Sequence, residues 1–594
     1  MNDTITKPRR AKKLFNAPEA IISEAIEGMV SAHPDMLRIA GDTRRAVVAV
    51  NGPRDGKVGI VIGGGSGHEP AFAGYVGRGL ADAAAVGNVF ASPSPEQILD
   101  GVRAANGGAG VLMLYGNYTG DVMNFDMATE EAAGLGIECR SVAVADDIAS
   151  APKGRADERR GIAGDFFVFK IAGAAADAGR DLADVEAAAR HALKNTKSMG
   201  VALSACSLPQ TGKPNFEIGD DEMEIGMGLH GEPGMRRGAL AQADAVVDEL
   251  MTPILDELAL RKGDEVAVLV NGLGATGLLE LYILHRRVAA LLANLNVKIH
   301  YSWVGEYATS LDMSGASVTL MKLDSDLKVL LDAPCRTAAL TVGAVSGSTP
   351  PHSTFKARTV HAEVTARKPE EQSTRNLATD GAITPQIFRA MVNAAGERIS
   401  IEADRLSELD GFIGDGDHGV TMDIGWKAVR QALADSAESE TIETSCKRMA
   451  KAFLDAVGAS SGPLYATAFL RAGSAIKDRL NLDAQSMATW IEAACQGVRE
   501  RGRADPGDKT MVDAWVPAAT DARAAADSGA DVIATLDAAC AGANRGMEAT
   551  RDIESRRGRS SKLGERSIGH IDPGAASTAV IIGAMRDAAK AALG

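Results

Sequence analysis

Eight consecutive residues, Asp410-Gly-Phe-Ile-Gly-Asp415-Gly-Asp417, place three carboxylates among three glycines. Like charges this close repel one another unless a cation sits between them, and a hard divalent ion suits an all-oxygen donor set. Mg²⁺ is usually held by one or two carboxylates together with substrate phosphates, so the loop points to phosphate chemistry. A solvated acidic turn built on Asp-Gly pairs is the alternative that these residues alone leave open. An EF-hand is excluded: counted from Asp415, Gly419 stands where a ligand is required and Trp426 where the closing Glu belongs.

Two further loops carry histidine among glycines. Gly63-Gly-Gly-Ser-Gly-His68-Glu-Pro70 follows an apolar run, and its glycines let backbone N–H groups approach a small polar ligand beside His68. Gly226-Met-Gly-Leu-His230-Gly-Glu-Pro-Gly234 repeats the arrangement of one imidazole followed shortly by Glu-Pro. A lone histidine in a turn is commonly structural; two matching loops in one region point to a shared pocket. Between them, Tyr115-Gly-Asn-Tyr-Thr-Gly-Asp121 offers Asp121 as a proton acceptor, or as an Asx-type turn closing a strand. Val457-Gly-Ala-Ser460-Ser461-Gly-Pro463-Leu opens a helical segment with hydroxyls and unpaired N–H groups, the form of an anion site. The polar loops 501–511, 556–559 and 570–574 carry basic residues that either neutralise phosphates or sit solvated between helices.

A competing signal is Gly272-Leu-Gly-Ala-Thr-Gly277, which follows a strand-like run and precedes a helical one, the form of a dinucleotide fingerprint. The fingerprint expects an acidic residue about twenty positions on, where residues 281–302 offer basic and apolar side chains instead. An NAD-dependent oxidoreductase using this loop is the alternative function. The P-loop pattern G-x-x-x-x-G-K-[ST] occurs nowhere.

The elements that must position these groups have two textures. Up to about residue 345, compact apolar runs at 58–62, 110–114, 141–144, 166–169 and 265–270 read as buried strands of an α/β sheet with chemistry at their C-terminal ends. From about 376 onward, apolar residues recur at three- and four-residue spacing in segments near 382–406, 421–436, 442–457, 463–480, 485–500, 511–527, 530–549 and 577–593, which predicts eight helices. Residues 346–375, rich in Ser, Thr, Pro and charge, read as a linker between an α/β domain (1–345) and an all-helical domain (376–594).

At 594 residues, with 45% hydrophobic and 24% charged side chains, the chain has the composition of a folded multidomain protein. A net charge of −15 argues against binding to nucleic acid or an anionic membrane. The basic stretch Lys7-Pro-Arg-Arg-Ala-Lys-Lys13 lacks an apolar core behind it and reads as a tail rather than a signal peptide, and no apolar run is long enough to span a bilayer. Six scattered cysteines without a Cys-x-x-Cys pair fit reduced thiols, hence a cytoplasmic setting.

Taken together these motifs resemble the dihydroxyacetone kinase family in its single-chain form, over nearly the whole chain. The matching segments are Gly-Gly-Gly-Ser-Gly-His-Glu-Pro, Asn-Tyr-Thr-Gly-Asp, Gly-Leu-His-Gly-Glu-Pro-Gly, Leu-Asp-x-x-Ile-Gly-Asp-x-Asp-His-Gly, Ser-Gly-Pro-Leu, Gly-Asp-Lys-Thr-Met and Asp-Pro-Gly-Ala, in the family's order. The resemblance implies an α/β substrate domain of two α/β subdomains and a nucleotide domain shaped as an eight-helix barrel. It implies that His230 holds a ketose covalently as a hemiaminal, which a polyol without a carbonyl cannot form. His68 and Asp121 would orient and deprotonate the hydroxyl that attacks the γ-phosphate, with Gly65, Ser66 and Gly67 contacting the substrate.

Asp410, Asp415 and Asp417 would bind two Mg²⁺ ions bridging the ATP phosphates. His418, Gly419, Val420, Thr421, Ser460, Ser461, Gly502, Met511, Arg559, Asp572, Pro573 and Gly574 fall where the family contacts the nucleotide. A homodimer is implied too, as is a catalyst rather than an idle regulator, because both histidine loops and the acidic triad are intact. One position departs: family members acting on dihydroxyacetone tend to read Lys-Asn-Tyr-x-Gly-Asp, whereas Gly116 precedes Asn117 here. Loss of a long cationic donor predicts a ketose larger than dihydroxyacetone, such as erythrulose or a branched pentulose.

Overall fold

The computed structural model describes residues 12–209, 212, 214–343, 381–414, 416–434 and 440–593; the expected linker 346–375 and Asp415 lie outside them. The N-terminal half contains helices α1 (Ile21–Ala32), α2 (Pro95–Ala105), α3 (Thr119–Gly134), α4 (Asp165–Asp177), α5 (Leu182–Asn195), α6 (Ala243–Leu258), α7 (Leu278–Asn294) and α8 (Ser325–Asp332). Its strands are β1 (Leu37–Ala40), β2 (Ala46–Ala49), β3 (Gly59–Ser66), β4 (Gly77–Arg78), β5 (Ala83–Val89), β6 (Val111–Gly116), β7 (Cys139–Val144), β8 (Thr196–Ala202), β9 (Glu222–Ile225), β10 (Arg236–Ala239), β11 (Glu265–Gly272), β12 (Lys298–Gly305), β13 (Gly315–Leu323), β14 (Cys335–Thr337) and β15 (Thr341–Val342).

Two six-stranded sheets result, ordered β1-β2-β5-β3-β6-β7 and β10-β9-β8-β13-β11-β12, with a small β15-β14-β4 sheet beside them. In the first, β5, β3, β6 and β7 run parallel, so their C-terminal ends open on one edge. All eight residues of β3 are buried because both faces are covered. Val61 packs with Ile98 of α2 and Phe125 of α3, while Ile60 and Ile62 face Phe166 and its neighbours on α4.

The run at 166–169, expected as a strand, lies in α4. The reason is its location: α4 is buried all round, Phe166 meeting Tyr75 on one side and Trp303 and Tyr307 on another. A helix enclosed on every face is apolar on every face, which erases the period that distinguishes helix from strand. The remaining four expected runs fall on β3, β6, β7 and β11.

The C-terminal half consists of α9 (Pro385–Ile413), α10 (His418–Ala434), α11 (Ile442–Ala456), α12 (Ser461–Ala475), α13 (Ala484–Gly502), α14 (Val512–Asp527), α15 (Val532–Ala549) and α16 (Pro573–Leu593). Each packs against the next and α16 packs against α9, closing a ring around a core that includes Trp426, Phe453, Phe469 and Trp490. Local signals set the ends. Thr384 accepts from the Ile387 N–H with Pro385 in the first turn of α9, and the Asp572 carboxylate accepts from the Ala575 N–H ahead of α16. Among the described residues no helix is long and apolar enough to cross a membrane.

The long connection between α15 and α16 is held by one side chain. The fully buried Lys509 ammonium lies 2.7 Å from the Thr550 carbonyl oxygen, 2.8 Å from that of Ser567, 2.7 Å from that of His570 and 3.1 Å from that of Ile553. Burial lowers its pKa, and the carbonyl cage solvates the charge in place of water. We predict that Lys509→Met, which strands those carbonyls, destabilises the protein by roughly 3 kcal/mol or more. Denaturant unfolding checks this, and an unchanged midpoint would contradict the anchoring role.

Candidate active site

One cavity of about 230 Å³ lies between the two halves of the chain and is lined from both. From the α/β half it takes Gly65 at the end of β3, Phe90 after β5, Tyr118 to Asp121 at the start of α3, and His230. From the helical half it takes Asp410, Asp417, Ser460, Ser461 and Asp572, among others. The N-termini of α3 and α12 both open on it, so two sets of unpaired backbone N–H groups favour an anion there.

The histidines expected to share a pocket do so. His68 Nε2 is 3.1 Å from His230 Nε2, although 162 residues separate them. His68 Nδ1 lies 2.8 Å from the Thr309 carbonyl oxygen, which can only accept, so Nδ1 carries the proton. Burial first, and then the charge of His230, push the His68 pKa down to about 3. His68 is therefore neutral with a lone pair on Nε2, and His230 Nε2–H is the donor between the rings. On its other side, His230 Nδ1 lies 3.1 Å from Glu232 Oε1, and its backbone N–H donates to Glu232 Oε2 at 3.0 Å.

Several residues hold this pair that the sequence reading did not single out. Asn215 donates to the His230 carbonyl at 2.8 Å. The Tyr118 ring meets His230 edge-on at 4.6 Å, and its hydroxyl donates to the Gly161 carbonyl at 3.0 Å. Burial, then Glu232, raise the Tyr118 pKa well above the ordinary phenol value, so it stays a donor. Phe90 stacks on His68 at 5.0 Å from a left-handed backbone (φ 58°), a strained conformation of order 1–3 kcal/mol that the surrounding packing must hold.

Arg160 stands behind Glu232, donating to Asp147 through Nε at 3.0 Å and Nη2 at 2.8 Å and lying 3.8 Å from Glu232. Burial alone would lower its pKa; Asp147 and Glu232 outweigh that and hold it above the usual guanidinium value. Glu232 and Tyr118 were visible in the quoted motifs, whereas nothing in the local sequence marks Arg160, Asn215 or Phe90.

Of the other expected substrate contacts, Asp121 lies buried in the first turn of α3. Ser66 Oγ donates to the Gly87 carbonyl, and the Gly67 N–H donates to Glu69, so both brace the loop. In the helical half, His418, Thr421, Ser460, Ser461, Gly502, Met511, Asp572, Pro573 and Gly574 line the cavity. Gly419 instead packs on the Ala403 backbone, and Val420 faces a smaller neighbouring cleft with Leu208 and Ile424. The Arg559 side chain lies outside what the structure describes, and Arg557 lines the cavity nearby.

Two of the three loop aspartates can be placed. Asp410 Oδ2 accepts from the N–H groups of Asp417 at 3.0 Å and His418 at 3.2 Å. Burial and then Asp410 raise the Asp417 pKa to about 7, and burial, chiefly, raises Asp572 to about 7. Crowded, buried oxygen donors of this kind fit a hard divalent cation, whose charge would relieve the repulsion. Among the described residues no group of three His, Cys, Asp or Glu side chains has metal-binding spacing.

The rival glycine loop at 272–277 serves packing: a Cβ on Gly274 would lie 1.9 Å from the Leu311 carbonyl oxygen. Its backbone is closed by the protein itself.

Residues 27–339 match the Dak1 domain family and 412–587 the DAK2 domain family. An L-erythrulose kinase of Pectobacterium atrosepticum is 37% identical over 577 residues, 96% of this chain and 95% of its own length. The chain belongs to the dihydroxyacetone kinase family, in its single-chain form. Within that family, an L-erythrulose 1-kinase of Mycolicibacterium smegmatis is 39% identical over 579 residues, 96% of this chain and 98% of its own. The crystal structure of the dihydroxyacetone kinase from C. freundii in complex with AMP-PNP and Mg²⁺ superposes with a TM-score of 0.51 at 29% identity, covering 97% of this chain and 99% of that one.

The histidine geometry has a consequence for stability in this family member. The native pKa of His68, about 3, lies below the ordinary 6.5, so between those values the unfolded chain binds a proton that the native state does not. The contribution of His68 is complete above pH 6.5 and is lost as the pH falls from there toward 3. His68→Asn is expected to flatten this part of the stability profile, measured by urea unfolding at pH 7, 6 and 5 against the unaltered chain.

Proposed function

We infer that this chain is an ATP-dependent ketose kinase that phosphorylates a terminal hydroxyl of a four-carbon ketose of the erythrulose type. The observation that carries the reading is the single cavity joining the His68–His230 pair and Asp121 to Asp410, Asp417 and the start of α12. The full-length similarity to two erythrulose kinases supports the acceptor class. The nucleotide complex of the C. freundii relative supports ATP and Mg²⁺ as the donor pair. We read the ring of eight helices as the nucleotide barrel of the family.

The proton positions suit addition of His230 to a carbonyl. His230, protonated on Nδ1 toward Glu232 as well as on Nε2, yields its Nε2 proton to the His68 Nε2 lone pair, 3.1 Å away, and the freed pair attacks the ketone carbon. A C–N bond forms as the carbonyl π bond breaks, His68 passes the proton to the oxygen, and the Nδ1 proton moves to Glu232, leaving a neutral hemiaminal. Glu232, in contact with His230 Nδ1, stabilises the imidazole as positive charge develops on it. With the ketose fixed, Asp121 takes the proton of the terminal hydroxyl as its oxygen attacks.

When bound, Mg²⁺ neutralises the charge that spreads over the transferred phosphoryl group, and Asp410, Asp415 and Asp417 are the residues that would hold it. Ser460, Ser461 and the N–H groups at the start of α12 would orient the phosphates.

Gly116 bears on the acceptor. A Cβ there would lie 3.2 Å from two Tyr118 ring carbons and 3.6 Å from Asp165 Oδ2. The space beside this glycine is thus taken by Tyr118, which the glycine allows to lie against the strand end and meet His230. A lysine at 116 would displace that ring toward the ketose and place an ammonium near the buried Asp165 carboxyl, whose pKa burial raises well above normal.

A coupled ADP-release assay over dihydroxyacetone, both erythrulose enantiomers and five-carbon ketoses is expected to give the highest kcat/KM with a four-carbon ketose. Gly116→Lys should shift the ratio toward dihydroxyacetone by roughly tenfold or more. A clear preference of the unaltered chain for dihydroxyacetone would sink the four-carbon assignment. Separately, His230→Ala should raise the ketose KM by roughly tenfold or more while leaving ATP affinity intact. An unchanged KM would count against covalent capture.

A further inference from the structure

The two halves of the molecule meet along a seam, and glycines stand at two of the points where their backbones come together. A Cβ on Gly458 would lie 1.4 Å from the Ser92 carbonyl oxygen and 2.6 Å from its carbonyl carbon. A Cβ on Gly120 would lie 3.2 Å from the Ser460 backbone nitrogen and 3.5 Å from the Gly458 oxygen. Neither glycine has its φ in the left-handed region, so neither needs to be glycine for its own backbone conformation. The nearest atoms that either missing side chain would meet all belong to the opposite half of the chain.

Polar contacts frame the same spot. The fully buried Asn124 donates to the Gly458 carbonyl at 2.7 Å. Farther out, Lys451 pairs with Glu96 at 2.8 Å. Gly120 directly precedes Asp121, and Gly458 is two residues before Ser460, so the seam fixes the start of α3 against the start of α12.

We propose that Gly120 and Gly458 form a docking seat. Their missing side chains set the separation at which the proton acceptor on one half meets the phosphoryl donor on the other. Gly458 is a positioning residue for transfer, and Gly120, whose backbone also lines the cavity, positions through the same seam. A methyl group at 458 must open the seam by about 2 Å to reach ordinary contact, and a misplacement of about 1 Å can lower a rate by about 10²-fold. The proposal rests on the kinase reading. Failure of that reading would appear in the unaltered chain, as absence of ADP release, and not in the variants.

The test uses full-length Gly458→Ala and Gly120→Ala, with L-erythrulose and dihydroxyacetone as acceptors. Gly458→Ala is expected to lose about 100-fold in kcat while its calorimetric affinities for Mg·ATP and for each ketose stay within about twofold, and Gly120→Ala, whose methyl needs far less room, to lose about threefold. The double variant should be no slower than the slower single one, because one methyl already holds the seam open.

A kcat of Gly458→Ala within twofold of the unaltered chain would overturn the proposal. So would a parallel loss of Mg·ATP affinity in that variant, which would place Gly458 in the nucleotide loop instead. Thermal unfolding reports whether each variant is folded; should Gly458→Ala not fold, Gly120→Val, whose bulkier side chain meets the Ser460 backbone from the other half, decides instead, and a kcat within twofold of the unaltered chain overturns the proposal.

Discussion

Two separately built cores must present reacting groups to each other at bonding distance, and this constraint shapes everything around the cavity. A phosphoryl group passes between oxygens only when they are nearly in line and in contact, so the halves have to meet backbone to backbone. Side chains at two of the meeting points would hold them apart, and glycines stand there: Gly458 faces Ser92 and Gly120 faces Ser460. The same contact aims two helix N-termini at one space, concentrating partial positive charge where a phosphoryl group would cross.

On the acceptor side the governing term is desolvation. Burial keeps His68 neutral and leaves its lone pair directed at the His230 Nε2–H. The row Asp147, Arg160, Glu232 places three ionised groups out of water, an arrangement that rarely adds stability by itself. Its value is orientational, because it holds Glu232 against His230, and with Asn215 and the Tyr118 ring it leaves that imidazole little freedom to turn. The left-handed Phe90 belongs to the same scheme, its strain held by a ring that stacks on His68. In the helical half the sign reverses: burial raises the pKa of the Asp417 and Asp572 carboxyls to about 7.

Much of this was legible in one dimension. The helical half was, because amphipathic helices around a single core keep their three- and four-residue period, and all eight expected segments have their helices. The strand ends carrying His68 and Asp121 were legible as well, since short apolar runs stopping at glycine mark them. The run at 166–169 misled for a definable reason: α4 is enclosed between the two sheets and has no polar face to reveal its period. Arg160 and Asn215 were invisible because their roles depend on partners in other segments, Glu232 and His230, and neither sits in a motif of its own.

The sequence by itself determined the chemical inventory: imidazoles in glycine loops, a cluster of carboxylates, hydroxyls at a helix start, and the elements that carry them. Those features depend on neighbours within a few residues, where side-chain type and backbone propensity act directly. Only the tertiary structure decided that His68 lies against His230, which of its nitrogens keeps the proton, and that Tyr118 occupies the space beside Gly116. It alone explains Gly120 and Gly458, whose reason for being glycine is an atom across the seam, more than three hundred positions along the chain. Contacts of that kind depend on how two finished cores fit together, a property no local pattern encodes.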